Sequence, residues 1–569
     1  MAARAVRIIT EVAAVDRPFD YALNDAMGQV GAGDRVRVDF HHRSVRGWVI
    51  DEAVASVDLK TIKKWLGFGP PASMLDLLQW ASERWYSSWS RFLLSASPKR
   101  IVTSLPEPPL SSALSLGVRA SAWLAAPGVV QLAPTTDPLA LVLGAYETTR
   151  EAGGSLLVLV PGEGWASRLR GRLEQRGCAV ASGDEQWDRM RSGWPVVVGA
   201  RGVALAPVPR VSGAVIIDAD DESYRASAAP TWEAVAMLRE RCRRDGAPLW
   251  CTSMIPSPAL LDRGAYDKDD DLVGGWPLVT AIDRRSSDPH EGILTRVALD
   301  AAHRALEGDE TNAVVVILQR LGSGRLLACV KCGELARCAQ CAQAEEEVGE
   351  ELTCAERHES RARFCRHCGS INLRRLRVGV TTLARDVSAQ LGQPVSEITA
   401  SLDPTAALAR VVVGTEATWS RVRRSGVVIF ADFDQYLLAP RASARRAAIT
   451  AVGKAGRLVG SRREGRGRVI LQTRRDDDAV VRALIDANFD DIITEDVATA
   501  ELLALSPYAA SADVSGPGSR AFVEGLLQAP VNVQETPTGF IVRAQDVSTL
   551  TGALRSVDRP SEKFRVAVE

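Results

Sequence analysis

Lysine is scarce in this 569-residue chain: 8 Lys stand beside 61 Arg. The eight fall at positions 60, 63, 64, 99, 268, 331, 454 and 563, so any motif that requires a lysine can be tested at every candidate. A phosphate-cradling P-loop needs Gly-x-x-x-x-Gly-Lys-Ser/Thr. Only Lys454 follows a glycine, yet Ala455 comes next and Ala448 stands where the first glycine belongs, so the chain has no Walker A motif. Long apolar runs are also missing. Stretches such as Leu156–Val160 and Ala313–Leu318 fall far short of the roughly 18 residues that a helical membrane span requires. An excess of either charge is absent too: 69 basic against 70 acidic residues leave a net charge of -1. Binding to nucleic acid would therefore have to come from local basic faces. The start, MAARAVRIITEV, has basic residues but no apolar core of a secretory signal, so a cytoplasmic location and no membrane partner are expected.

Apolar residues at 46% and charged residues at 24% match ordinary globular proteins and exclude a disordered, collagenous or coiled-coil chain. At roughly 100–200 residues per domain, three to five domains are expected. Residues 1–104 read as a small β-rich domain: strands near Val6–Val12, Asp34–Val38 and Arg46–Ile50, then an amphipathic helix near Leu75–Tyr86. A Pro- and Ser-rich linker follows at 105–129. Beyond it, apolar strands at 155, 196, 214 and 248 alternate with helical stretches, and a second set appears at 313, 410, 426 and 468. Continuous apolar runs of this kind suit parallel sheets covered on both faces. The expected fold class is multidomain α/β, with lobe 1 at 130–300 and lobe 2 beginning at 301–328 and continuing at 371–495. A small α+β domain is expected at 496–569.

Seven of the ten cysteines lie between Cys329 and Cys368. Cys329/Cys332, Cys338/Cys341 and Cys365/Cys368 are three Cys-x2-Cys knuckles, whose turns let both thiolates face one tetrahedral ion. Two such ions need eight ligands. Seven thiols leave one place, which the imidazole of His358 can fill through the spacing Cys354-x3-His358; His367, inside the last knuckle, is the alternative. Four-ligand sites leave no open position, so two structural zinc ions are expected in an insert at 329–370 that is too short to carry a core of its own. Around it lie Arg357, Arg361, Arg363, Arg366, Arg374, Arg375 and Arg377. This run would either track a phosphate backbone or balance the acidic stretch Glu345–Glu351.

Two tandem parallel lobes normally suggest a nucleic-acid translocase fuelled by ATP, and the missing P-loop argues against one here. After the first expected strand of lobe 1 the sequence is Ala133-Pro-Thr-Thr-Asp-Pro138, where two prolines remove amide donors and Asp137 would repel phosphate. The strand AVIID ends at Asp218, and Ala219 occupies the place of the carboxylate that would activate water, although Asp220, Asp221 and Glu222 follow closely.

The chain nevertheless resembles the PriA family of replication restart proteins (primosomal protein N′) in a degenerate, actinobacterial-type form. The resemblance runs in order along essentially the whole chain. Arg17-Pro-Phe-Asp-Tyr21 and Gly33-Asp-Arg-Val-Arg-Val-Asp-Phe40 resemble the family's 3′-end DNA-binding domain. Gly199–Leu205 and Ile216-Ile-Asp218 resemble motifs beside its Walker B site, and the cysteine window lies where the family has a two-zinc insert. Val413-Gly-Thr415, Ala431-Asp-Phe-Asp434 and Gly453-Lys-Ala-Gly-Arg457 resemble later helicase motifs, with Thr450 in place of the family's Gln and Lys454 in place of an Arg.

The resemblance implies two RecA-like lobes relieved of ATP hydrolysis, hence a pseudo-helicase with no enzymatic activity and no nucleotide cofactor. It implies zinc sets of Cys329, Cys332, Cys365 and Cys368, and of Cys338, Cys341, Cys354 and His358. The family's 3′-end pocket carries over to Phe19, Asp20 and Lys60: an aromatic face to stack a base, a carboxylate for its edge or sugar, and a cation for phosphate. Where the family has a small glycine beside that pocket, this chain has His41. The family's winged-helix domain is missing. Expected partners are forked or single-strand/double-strand junction DNA, primosome and replicative helicase-loading proteins, and single-stranded DNA-binding protein as a candidate, with the chain itself a monomer. The competing readings are an ATP-dependent 3′-5′ helicase with an atypical nucleotide site, and a zinc-containing nucleic-acid-binding regulator with no fork preference.

Overall fold

The computed structural model describes residues 4–12, 15–23, 30–54, 58–111, 113, 126–287, 291–310, 312–318, 327–341, 344–349, 351–354, 358–375, 380–398, 407–439 and 441–569. Most of the expected linker 105–129, together with Arg357 and Arg377, lies outside these residues. By contact density the chain divides into two compact units. One comprises residues 1–130, 137–267 and 496–569; the other comprises 131–136 and 268–495.

In the first unit, β1 (Ala5–Thr10), β2 (Phe19–Ala22), β3 (Arg35–Phe40), β4 (Arg43–Ala53) and β5 (Lys64–Trp65) form an antiparallel sheet of order β2-β1-β4-β3-β5. Its alternating residues bury one face, with Val6, Ile8, Val36, Val38 and Val49 at its centre. Helices Leu75–Arg84 and Trp89–Ser95 follow. Next come β6 (Gly128–Gln131), β7 (Ser155–Leu159), β8 (Val180–Ala181), β9 (Val196–Gly199), β10 (Val211–Ile216), β11 (Leu249–Ser253) and β12 (Tyr266–Lys268), in one sheet of order β12-β6-β11-β10-β7-β9-β8. The pairings of β8 with β9, β9 with β7, β7 with β10 and β10 with β11 are all parallel. Every residue of β7, β9 and β10 is buried, as expected of strands covered on both faces.

In the second unit, β13 (Leu278–Asp283) and β14 (Ala313–Ile317) precede the cysteine-rich insert. The insert holds β15 (Leu327–Cys329), β16 (Glu345–Val348), β17 (Glu351–Cys354), β18 (Ser360–Ala362) and β19 (Leu373–Arg375). It is two small antiparallel sheets, β15-β19 at the base and β16-β17-β18 beyond. The lobe resumes with β20 (Val395–Ile398), β21 (Val411–Gly414), β22 (Ser425–Phe430) and β23 (Arg468–Thr473), giving the order β13-β23-β22-β14-β21-β20. All its pairings are parallel. Strand β13 corrects the expected boundary at residue 300: it pairs with β23 from Leu278↔Arg468 to Asp283↔Thr473 and so belongs to lobe 2. Lying at the sheet edge and only partly buried, it lacks the continuous apolar run that marks its neighbours.

The chain ends, within the first unit, in β24 (Ala510–Ser515), β25 (Asn532–Thr536), β26 (Gly539–Ala544) and β27 (Arg565–Val568), an antiparallel sheet with helices Ser519–Glu524 and Val547–Ser556 packed on it. Among the described residues no helix is long and apolar enough to cross a membrane.

Candidate metal centres and DNA-binding cleft

Each outer knuckle of the insert closes on a left-handed glycine. The amide of Gly333 (φ 74°) donates to the Cys329 carbonyl at 2.9 Å, and that of Gly369 (φ 70°) to the Cys365 carbonyl at 2.9 Å. A Cβ at either position would be strained, so the turn itself explains the glycine that follows each of these two knuckles. The ligand atoms of Cys329, Cys332, Cys365 and Cys368 converge within 4.8 Å of one another, and those of Cys338, Cys341, Cys354 and His358 do the same. Sulfur pairs stand 3.5 Å (Cys329–Cys368), 3.6 Å (Cys332–Cys365) and 3.5 Å (Cys341–Cys354) apart. His358 Nδ1 lies 3.8 Å from Cys354 Sγ and 4.0 Å from Cys338 Sγ. A tetrahedron with Zn–S bonds of about 2.3 Å has edges of about 3.8 Å, so both sets fit zinc. His367 belongs to neither set. Without a metal the four thiols of the first set compete: burial raises Cys329, but the amides of Cys332 and Lys331 bring it down to about 7, while burial pushes Cys332 up to about 12 and raises Cys365. Cys178, Cys242 and Cys251 are buried in the first lobe, and burial pushes them up to about 11, 12 and 12.

Within the arginine run, Arg361, Arg363 and Arg366 are engaged inside the insert. Arg361 donates through Nε to Glu345 at 2.8 Å and also pairs with it through Nη2; Glu345 is completely buried. Arg363 pairs with Glu347 at 2.8 Å and donates to the Ile371 and Leu373 carbonyls at 3.0 and 2.7 Å. Arg366 pairs with Glu359 at 2.6 Å. The Ala339 amide, together with Arg366, holds the Glu359 carboxyl down to about 2.

On the N-terminal sheet, Val15, Asp16, Arg17, Phe19, Phe40 and His41 line an open cleft of about 380 Å3. Phe19 and Phe40 meet edge to face at 5.0 Å, the Arg17 guanidinium sits 5.1 Å over the Phe19 ring, and His41 stands 4.5 Å edge-on to Phe40. His41 and His42 have φ of 46° and 62°. Two successive positive values make the tight hairpin turn between β3 and β4, where glycine would be the unstrained choice; histidine instead adds an imidazole to the cleft wall. Asp16 accepts the Trp89 amide at 2.8 Å, fixing the rim to the following helix. Phe19 lies in the cleft as expected. Asp20 and Lys60 are not among its lining residues: strand alternation sends Asp20 to the opposite face from Phe19, where it pairs with Arg7 at 3.2 Å, and the Lys60 carbonyl accepts the Ala22 amide at 3.0 Å. His41 lies at the cleft as expected; the contacts from Arg17 and Phe40 go beyond the expected pocket residues, and their signal in the sequence is the pairing of aromatic and basic residues in RPF and FHHR.

The segment standing where a phosphate cradle would be has its side chains engaged. Thr135 Oγ1 donates to the Gly275 carbonyl and Thr136 Oγ1 to Asp269 Oδ2, both at 2.7 Å. The Arg457 Nε donates to the Pro134 carbonyl at 3.0 Å. Asp137 accepts Arg172 at 2.9 Å and the Leu139 amide at 3.1 Å. Burial raises the Asp137 carboxyl, but these partners outweigh it and hold it below the usual range. At the end of β10, Asp218 takes φ 53° and its amide donates to Thr252 Oγ1 at 3.0 Å. Asp220 accepts Ser253 Oγ at 2.7 Å and the Ser257 amide at 3.2 Å, while Asp221 caps the Ser223 amide at 2.9 Å.

Residues 7–98 match the family model of the PriA 3′ DNA-binding domain (3′BD). Proteins from Mycobacterium bovis and Mycobacterium tuberculosis H37Rv described as "Probable replication restart protein PriA" are each 26% identical over 378 residues, covering 58% of this chain and 57% of the relative. The chain thus spans little more than half the length of these relatives. Among solved structures, S. cerevisiae Dbp5 bound to RNA and ADP BeF3 is similar at 10% identity, over 65% of this chain and 89% of that one, with a TM-score of 0.35. The helicase Lhr of Mycobacterium smegmatis bound to ssDNA and AMP-PNP is similar at 13%, over 76% and 58%, with a TM-score of 0.35. The sheets and the N-terminal match define the class: a multidomain α/β protein with two mainly parallel sheets and an N-terminal domain that matches a 3′ DNA-binding domain. Within that class the chain is similar to PriA-type proteins, in its N-terminal domain and over little more than half its length.

Proposed function

We propose that this chain recognises stalled or abandoned replication forks and promotes primosome assembly and reloading of the replicative helicase by binding alone, without hydrolysing ATP. Its 3′ DNA-binding domain and its PriA-type relatives support the replication-restart part. The cleft supplies the chemistry: Phe19 and Phe40 offer ring surface to a terminal base, and Arg17 and His41 offer cationic or donor groups to its phosphate. The single observation that carries the absence of an ATP step is the segment Ala133–Pro138. It lacks the glycines and lysine of a phosphate cradle, and Thr135, Thr136, Asp137 and the Pro134 carbonyl are engaged within the protein. Arg457, from the motif that resembles the family's ATP-contacting arginines, is spent on that carbonyl. Zinc in the insert would be structural, organising a surface for other primosome proteins.

The deciding experiment is DNA-stimulated ATP hydrolysis by the purified chain. Turnover at background level supports the binding-only role. Appreciable turnover, abolished by Asp218→Asn, would replace it with an atypical 3′-5′ helicase. Equal affinity for forks with and without a free 3′ end, at matched salt, would replace it with a general nucleic-acid-binding regulator.

A further inference from the structure

The two metal-ligand sets are joined by charged side chains that belong to neither. Arg366 lies inside the Cys365–Cys368 knuckle, so its backbone is part of the first set. Its Nη2 donates to Glu359 Oε2 at 2.6 Å and stands 3.6 Å from Glu345 Oε1. Glu359 directly follows His358, a member of the second set. Its other oxygen accepts the Ala339 amide at 2.7 Å, one residue beyond Cys338, also of the second set. One carboxylate thus ties the His358 segment to the Cys338 turn and is itself held by a guanidinium from the other knuckle. The partners on the far side are equally fixed: Glu345 is completely buried and is gripped by Arg361. Arg366 and Glu359 remain 41% and 21% exposed, so they are not simply core filling.

We propose that the Glu359–Arg366 pair is a positioning bridge that couples the two metal sites, so that the insert takes up and releases zinc as a pair. The inference rests on the zinc reading of the two sets and adds to it a dependence of one site on the other. Groups that orient metal ligands typically change metal affinity roughly 10–100-fold when removed, and Glu359 orients two segments that each carry a ligand.

The test uses the full chain loaded with zinc and a metallochromic chelator that reports release. The wild type is expected to hold two zinc ions and to lose both in a single phase. Glu359→Gln keeps an acceptor for Ala339 and removes the charge; Arg366→Gln removes the other partner. Each should split release into two phases, one roughly 10-fold faster, and the double variant should be no worse than either single one. Cobalt substitution identifies the site: in the variants only, the absorption of the set that contains His358 should fade before that of the all-cysteine set. Arg366→Lys should restore single-phase release. Two-phase release in the wild type, or additive effects of the two Gln variants, would overturn the coupling. A wild-type content near one zinc would instead overturn the zinc reading beneath it.

Discussion

Replacing Asp432 by asparagine should stabilise the second lobe at neutral pH. Asp432 follows β22, its side chain is 13% exposed, and its Oδ2 accepts Gln435 Nε2 at 3.2 Å. Among the described residues its Oδ1 has no hydrogen-bond donor, and Arg474 Nη1 stands 3.8 Å away while also serving the buried Asp434 at 3.5 Å. Burial, and after it the charge of Asp434, push the Asp432 carboxyl from 3.8 up to about 6. The unfolded chain releases this proton near pH 4 and the folded chain near pH 6, so folding takes up a proton between those values. Stability then falls as pH rises through the window. A difference of about two pKa units corresponds to about 3 kcal/mol of strain at pH 7, which a neutral Asn of the same shape does not carry. For a unit of this size that is roughly 6–12 °C in melting temperature. Thermal melts of wild type and Asp432→Asn at pH 4, 5, 6 and 7 are the assay. The gain should be largest at pH 7 and close to zero at pH 4. A variant no more stable than wild type at pH 7, or a gain as large at pH 4, would refute the reasoning.

Three further outcomes are expected. Phe19→Ala should weaken binding to forks with a free 3′ end by the worth of one stacked base, about 1–3 kcal/mol, and leave binding to forks without that end unchanged, as read by fluorescence anisotropy. Elemental analysis should find two zinc ions per chain; Cys329→Ser or Cys368→Ser should lower that number, and Cys178→Ser should not. Asp137→Asn removes a carboxylate held low by Arg172, with a side chain 53% exposed, so it should cost no more than about 1 kcal/mol. That cost should be present above the usual carboxylate range and vanish as pH falls through the folded value, as chemical denaturation at pH 3 and pH 7 would show.

Much of the fold was legible because parallel strands buried on both faces are written as unbroken apolar runs: SLLVL, VVVG and AVVVI mark β7, β9 and β14 without ambiguity. Edge strands carry no such mark, which is why a boundary drawn at residue 300 separates β13 from its own lobe. The three knuckles were legible from spacing, since a Cys-x2-Cys turn is a local object, and their grouping into two sets followed from the family resemblance. Their neighbourhood was not: nothing in the string says that Glu345 is fully buried or that Arg361 and Arg366 reach it, because those contacts depend on the small strands of the insert folding onto one another. The cleft divides in the same way. Phe19 and Phe40 stand in two separate motifs that meet only when the strands pair, and alternation along β2 then turns Asp20 away.

The base of the insert has a consequence for how the chain could have been assembled. Leu327 and Arg375, forty-eight residues apart, are direct partners across the β15-β19 pair, which places their Cα atoms roughly 5 Å apart. The two described ends of the insert therefore stand a short turn apart, while the hydrogen-bonded ladder of β13, β23, β22, β14, β21 and β20 is complete without it. Such a module can be gained, lost or transplanted as a cassette. Lobe 2 closed by a short turn at this point should still fold but with less stability, because it loses the packing of Ala328, Leu335 and Ala344 against Leu438.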